Sequence, residues 1–152
     1  MKGVMISMTK TSNDLYYTCA LIEYIGRKTN NKRSTVVDAL GEKYLKHIVD
    51  HADVFHSEQI DEVADRFIEA CHIQMGDFDN VASCKYEVPS YWDIGAVYAR
   101  LIEGLAKGRM IDTLIEVYHS WITEYIDDYN IAVYYMTPQY LLLSYEEGKL
   151  LD

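Results

Sequence analysis

Apolar positions recur with a helical period over most of the chain. From Asp14 to Thr29, Leu15, Cys19, Ile22, Ile25 and Gly26 share one face, which predicts a helix capped by Asn13 or Asp14. A polar turn, 30–33, follows, and Ser34 caps a short helix, 35–40, closed by Gly41. A third helix, 43–53, buries Leu45, Ile48, Val49 and Ala52. Ser57 reads as the N-cap of a helix from Glu58 to about Gln74. There Ile60, Val63, Ala64, Phe67, Ile68 and Cys71 form an unbroken stripe that Gly76 ends.

The helical period lapses between Asp77 and Pro89, so 81–88 reads as an irregular loop or one short strand. Ser90 with Asp93 resembles a capping box and opens a helix through Ile94, Val97, Leu101 and Leu105. The pattern from Met110 to Asp127 predicts one long helix, and the β-branched and aromatic run 130–136 predicts an extended segment. Thr137 caps a last helix with Pro138 in its first turn and Gly148 at its end. The sum is an all-α, single-domain bundle of six or seven helices, divisible at most into subdomains 13–76 and 90–152. Residues 1–12 are expected to be disordered. Lys2-Gly3-Val4 can be encoded by a purine-rich ribosome-binding sequence just upstream of the Met8 codon, which makes Met8 the expected native start.

Length and composition agree with that picture. The 152 residues, 49% hydrophobic and 25% charged, suffice for one core and are too few for two ordinary domains. The N-terminal stretch is too short and too mixed for an export signal or a membrane anchor. The odd count of cysteines, Cys19, Cys71 and Cys84, argues against a disulfide framework and for a reducing cytoplasm.

Charge adds direction. The net charge is -10, against a bulk electrostatic grip on nucleic acid and in favour of a basic protein partner. Residues 1–43 hold seven bases and four acids; residues 44–152 hold seven bases and twenty acids. Glu58, Asp61, Glu62, Asp65 and Glu69 form an acidic stripe opposite the apolar face of their helix, a candidate contact for that partner. Arg27, Lys28, Lys32 and Arg33 flank the turn before the second helix and are the candidate anion contact. Nine of the fourteen tyrosines lie from Tyr91 onward, and Tyr134 with Tyr135 is the pair expected at an exposed contact.

The chemistry-bearing residues form no complete motif. His47 and His51 share a helix face, but without the glutamate of a zinc-protease motif they read as solvated. Cys71, His72 and Cys84 lack a fourth zinc ligand. Asp77-Phe78-Asp79-Asn80 starts like a calcium loop, yet Ala82 and Val88 stand where glycine and glutamate are needed, so it reads as a turn. His56 is expected to hydrogen-bond across a helix junction. Phosphate loop, dinucleotide fingerprint, nucleophile elbow and kinase signature are all missing, so no catalytic residue, metal or cofactor is assigned.

The series Leu21-Ile22-Glu23-Tyr24, Val36-Val37-Asp38-Ala39-Leu40, Leu45-Lys46-His47-Ile48, Val54-Phe55-His56-Ser57 and Ile60-Asp61-Glu62-Val63 resembles a small helical domain family of unknown function from gut Firmicutes. Its genes sometimes stand in toxin–antitoxin-like pairs. The resemblance covers about residues 15–69 and implies a helical fold and an antitoxin-like role. The expected function is therefore that of a non-enzymatic module covering a basic site on a partner protein, by nucleic-acid mimicry in one form. A small regulator that touches nucleic acid through the basic turn 27–33 is the alternative. Self-association is compatible with either.

Overall fold

The computed structural model describes residues 10–152. The described residues are 67% helical, with eight α-helices and no strand among them. Residues 1–9, and with them the expected start at Met8, lie outside the described residues; residues 10–12, expected to be disordered, are already helical.

The architecture is organised around α1 (Lys10–Thr29). Its sequence is apolar on more than one side, and Tyr17, Cys19, Ala20, Leu21, Ile22 and Ile25 are all at most 2% exposed. A helix with apolar residues all round must be covered all round. Here α5 (Tyr91–Leu105), α2 (Arg33–Asp50), α4 (Ile60–Ala70) and α3 (Ala52–His56) supply the cover. α6 (Met110–Tyr118) packs on α2 and α5, and α8 (Pro138–Glu147) packs on α5. One core runs from Leu15 to Leu141 through all of these elements, so neither half has a core of its own.

α1 and α5 come into close backbone contact. A Cβ added at Gly95 would lie 2.7 Å from the backbone N and Cα of Ala20. Glycine facing alanine is thus what lets the two most buried helices touch.

Several boundaries differ from the periodic reading, each for a local reason. The expected break at Gly41 is present: its non-helical conformation (φ 70, ψ 170) divides α2 into two helical segments, the first beginning at Arg33 and the second ending at Asp50, short of the expected 53. That conformation belongs to glycine. Ser57 does not cap the next helix: its hydroxyl donates to Val54 O at 2.6 Å and closes α3. α4 accordingly begins at Ile60 and stops at Ala70, well before Gln74. Its end is a Schellman turn in which His72 takes φ 53, with His72 N to Glu69 O and Ile73 N to Ile68 O closing the two bonds.

The long helix expected over 110–127 is broken. The Ser120 hydroxyl donates to Val117 O at 2.7 Å and the Thr123 hydroxyl to Ser120 O at 3.0 Å, so these side chains compete with the ladder. α6 ends at Tyr118, and the short α7 (Thr123–Ile126) follows after a turn. The run 130–136 is not extended either; Ala132–Tyr135 forms a 3-10 turn. Segment 81–88 is a loop. The expectations at 90 and 137 hold: Ser90 accepts from Asp93 N at 3.0 Å, Thr137 accepts from Tyr140 N at 3.1 Å, and Gly148 closes α8 at φ 82.

Gly95→Ala is expected to destabilise the protein by about 1–3 kcal/mol, the usual cost of overpacking. Gly104→Ala, whose Cβ meets only the end of the Leu142 side chain at 3.3 Å, should stay within about 1 kcal/mol of wild type. Urea denaturation of both variants checks this, and equal midpoints would contradict the assigned contact.

Candidate functional site

α1 carries two acids: Asp14, near its start, is 9% exposed and pairs with Lys10, whereas Glu23 is enclosed at 1% exposure. Burying a carboxylate is affordable only if it is paired and hydrogen-bonded. Arg33, also 1% exposed, pairs with it through both oxygens: Nε donates to Oε1 and Nη2 to Oε2, each at 2.9 Å. Gly26 makes the room, since a Cβ there would collide with the Arg33 stem. Arg27 Nε donates to Glu23 Oε2 at 2.8 Å, and the Tyr129 hydroxyl donates to the same oxygen. Burial by itself would raise the Glu23 pKa; the charge and hydrogen bonds of Arg33, then Arg27 and Tyr129, outweigh it and hold the carboxyl well below its usual range.

Two loops hang on this cluster. Arg33 Nη1 donates to Asn31 O at 2.8 Å and Nη2 to Asn80 Oδ1 at 3.0 Å. Asn80 Nδ2 donates in turn to Asp127 O at 2.9 Å, and the Tyr98 hydroxyl donates to Asp127 Oδ1 at 2.8 Å. On the opposite side, Arg27 Nη2 donates to Pro89 O at 2.8 Å and to the Tyr129 hydroxyl at 3.1 Å. Asn130 ties the loop to the same segment: its Oδ1 accepts from Lys85 N at 2.7 Å and its Nδ2 donates to Ser83 O at 3.1 Å.

That scaffolding shapes an open groove of about 640 Å³ between α5, the 87–90 loop and the 134–138 segment. Tyr16, Val97 and Leu141 contribute apolar surface; Tyr134, Tyr135 and Met136 form one lip. Tyr134 stands edge-on to Tyr129 at 6.0 Å and so is braced by the buried cluster. Tyr135 is 80% exposed, and Tyr86, next to the groove residue Glu87, is 70% exposed. Charged groups at the groove are Glu87 and Asp93 against Arg100.

The other sites expected from sequence fall out differently. Within the acidic stripe, Asp61 and Asp65 both pair with Lys28 of α1, at 2.5 and 2.6 Å, and Glu58 pairs with Arg66 at 2.6 Å. Glu62 and Glu69 remain exposed and outside any ion pair among the described residues. The basic turn is dismantled as an anion contact: Arg33 and Arg27 are counter-ions of Glu23, Lys28 faces two aspartates, and only Lys32 stands exposed and unpaired.

His56 is exposed, stacked on Trp92 at 5.7 Å and 5.3 Å from the Tyr17 ring, so its junction role is a ring contact instead of a hydrogen bond. The His47 and His51 rings lie 4.5 Å apart, but the described residues contain no group of three or more His, Cys, Asp or Glu placed to hold a metal ion. Asp79 Oδ1 accepts from Ala82 N at 2.9 Å, the turn expected of 77–80. Glu23, Asn80, Asp127 and Tyr129 had no motif; a lone acid amid the apolar run of α1 was their one sequence signal.

The pKa of Asp127 is shifted in the opposite direction to that of Glu23. Burial, then the charge of Glu23, pushes its pKa up to about 7, and Arg33, the Tyr98 hydrogen bond and Arg27 offset this only in part. Neither a protein-family model, nor a curated protein, nor a solved structure matches the chain. Among the described residues, no helix is long and apolar enough to cross a membrane.

Two outcomes follow from the cluster. Arg33→Met strands Glu23 with half its partners and should cost about 3–5 kcal/mol in urea denaturation, since breaking a buried pair leaves a charge uncompensated; a loss below about 1 kcal/mol would contradict it. The second concerns pH. Native Asp127 keeps a proton that the unfolded chain releases near pH 4, so its contribution is full below that value and lost as pH rises through about 7. Glu23 works in reverse, its contribution being present above the ordinary carboxylate range and lost on acidification. Asp127→Asn should therefore flatten the decline of stability between about pH 5 and pH 8, and parallel wild-type and variant curves would refute the assignment.

Proposed function

We propose that the protein is a non-enzymatic interaction module, antitoxin-like or inhibitory, that covers a basic site on a partner protein. The observation that carries this reading is the groove along α5, with Tyr135 80% exposed on its lip. Exposed aromatic groups around an apolar floor mark interaction sites, because they bury large rigid area at low entropic cost. Glu87 and Asp93 give the groove one more acid than base, and the chain as a whole carries -10. Such a surface steers a basic segment inward and then holds it by aromatic anchors.

Glu62 and Glu69 add carboxylates on a separate face, which suits a partner large enough to reach both and the mimicry of spaced phosphates. The nucleic-acid alternative is not favoured, since its two arginines are consumed by Glu23. Three free thiols suit a reducing compartment such as the cytoplasm.

Selection from a random peptide display library against the full chain tests the reading. Peptides rich in Lys and Arg with an apolar anchor should be enriched, and should bind more weakly in about 0.3 M salt than in about 0.05 M. The double variant Tyr134→Ala, Tyr135→Ala should lose about tenfold or more in affinity with an unchanged helical circular dichroism spectrum. Enrichment of neutral or acidic peptides, or undiminished binding by the double variant, would overturn the proposal; binding of a second copy of the chain in the groove, seen by sedimentation, would overturn it too.

A further inference from the structure

Asp127 closes α7 and begins the strap, 127–136, that ends in the tyrosine lip of the groove. Its carboxyl is enclosed, 7% exposed, and belongs to no ion pair among the described residues. Arg33 and Arg27 act on it by charge alone, because their N–H groups are directed elsewhere. Arg33 donates to Glu23, Asn31 O and Asn80, and Arg27 donates to Glu23, Pro89 O and Tyr129. A carboxyl buried without a bonded counter-ion keeps its proton. Burial and then the neighbouring Glu23 charge push in that direction, and the balance lies at a pKa of about 7.

This carboxyl is tied to the core on one side and open on the other. The Tyr98 hydroxyl, on α5, donates to Oδ1 at 2.8 Å, and Asn80 Nδ2 donates to the Asp127 carbonyl at 2.9 Å. Asp127 also lines a second cavity, of about 740 Å³, whose lining shares no residue with the groove. Asp77 and Asp79 of the 77–83 loop, Glu124 of α7 and Asp128 face that cavity. Against them stand Lys32 at the start of α2 and His119 at the end of α6, which pairs with Asp38 at 2.8 Å. A turn of the Asp127 side chain toward this space exchanges the Tyr98 hydroxyl for water.

The strap passes such a movement on. Asn130 N donates to Asp128 Oδ1 at 3.0 Å and Ile131 N to Asp128 O at 3.2 Å, so 128–131 is a tight turn leading into Ala132–Tyr135. Tyr129 within it donates to Glu23 and meets Tyr134 edge-on at 6.0 Å; Tyr134 in turn lies 5.4 Å from Tyr135.

We propose that the Asp127 carboxyl is a proton-operated latch: protonated, it holds the strap 127–136 on α5 and the core; ionised, it turns into the cavity and releases the strap and the tyrosine lip. The closed form keeps a proton that the released form, with an ordinary carboxylate near pH 4, gives up. The balance therefore moves toward release by about tenfold for each pH unit above about 7. The effect on binding rests on the groove reading; the latch itself does not.

Amide nitrogen–proton correlation spectra of the full chain, recorded between about pH 5.5 and about pH 8.5, test it. The amides of 127–136 should shift together with a common midpoint near 7, while those of α4 stay in place. Asp127→Asn, which cannot ionise, should abolish the shared transition, and His119→Gln should leave it. Should Asp127→Asn fail to fold, the carboxyl carbon resonance of Asp127 in the wild-type chain decides, since it must titrate with the same midpoint. Affinity for a selected basic peptide should fall about fivefold or more between about pH 6 and about pH 8, and the Asp127→Asn variant should not show this fall. Titrating amides in a chain that binds no peptide would uphold the latch and refute only the groove. Strap amides that do not titrate together, a transition that vanishes with His119→Gln, an Asp127 carboxyl carbon that titrates near pH 4, or peptide affinity unchanged while the amides titrate would overturn the proposal.

Discussion

The buried Glu23–Arg33 pair is the constraint on which the remaining structure hangs. Both side chains are almost fully enclosed, and such a pair contributes little net stability compared with an apolar pair of the same shape. What it contributes is position. Because Glu23 cannot be left uncompensated, the chain must place Arg33, Arg27 and Tyr129 around it. Those three residues reach it from α1, from the start of α2 and from the segment after α7. A single unmet charge in the middle of the bundle thereby fixes the α1–α2 turn, the 76–89 loop and the path of the chain after Ile126.

The two surfaces described above are consequences of that arrangement. Arg27 holds Pro89 O and Tyr129, and through them the loop and the tyrosines that form the groove. Arg33 holds Asn80 and, through it, Asp127, which borders the second cavity. A core made only of aliphatic residues would bury as much area without specifying where these loops sit. Polar networks cost stability when half satisfied and enforce one geometry when complete.

Charge balance also separates the faces of the molecule. Lys28 bridges Asp61 and Asp65 between α1 and α4 and so neutralises the middle of the acidic stripe. Exposed pairs of this kind are worth little individually. Their effect here is to leave the uncompensated acid elsewhere, on Glu62 and Glu69 and around the second cavity.

How much of this was legible in the residues depends on range. The all-α class, the Ser90 and Thr137 caps, the Gly148 terminus and the apolar faces of α4 and α5 were readable because each is decided within one or two turns of chain. Exposure was expected of Tyr134 and Tyr135 together in an extended segment; the segment is a 3-10 turn in which Tyr135 is exposed and Tyr134 is half-buried against Tyr129. The break at Tyr118 is made by local hydroxyls that the continuous apolar period concealed, whereas the burial of Arg27 and Arg33 was not readable because it is decided by partners far away in sequence. Tyr129 lies 106 residues from Glu23, and Asn80 lies 47 from both Arg33 and Asp127. Local pattern says that arginines near a turn are charged and that a helix-period run is a helix. Only the folded chain, by enclosing one carboxylate, decides that those arginines face inward.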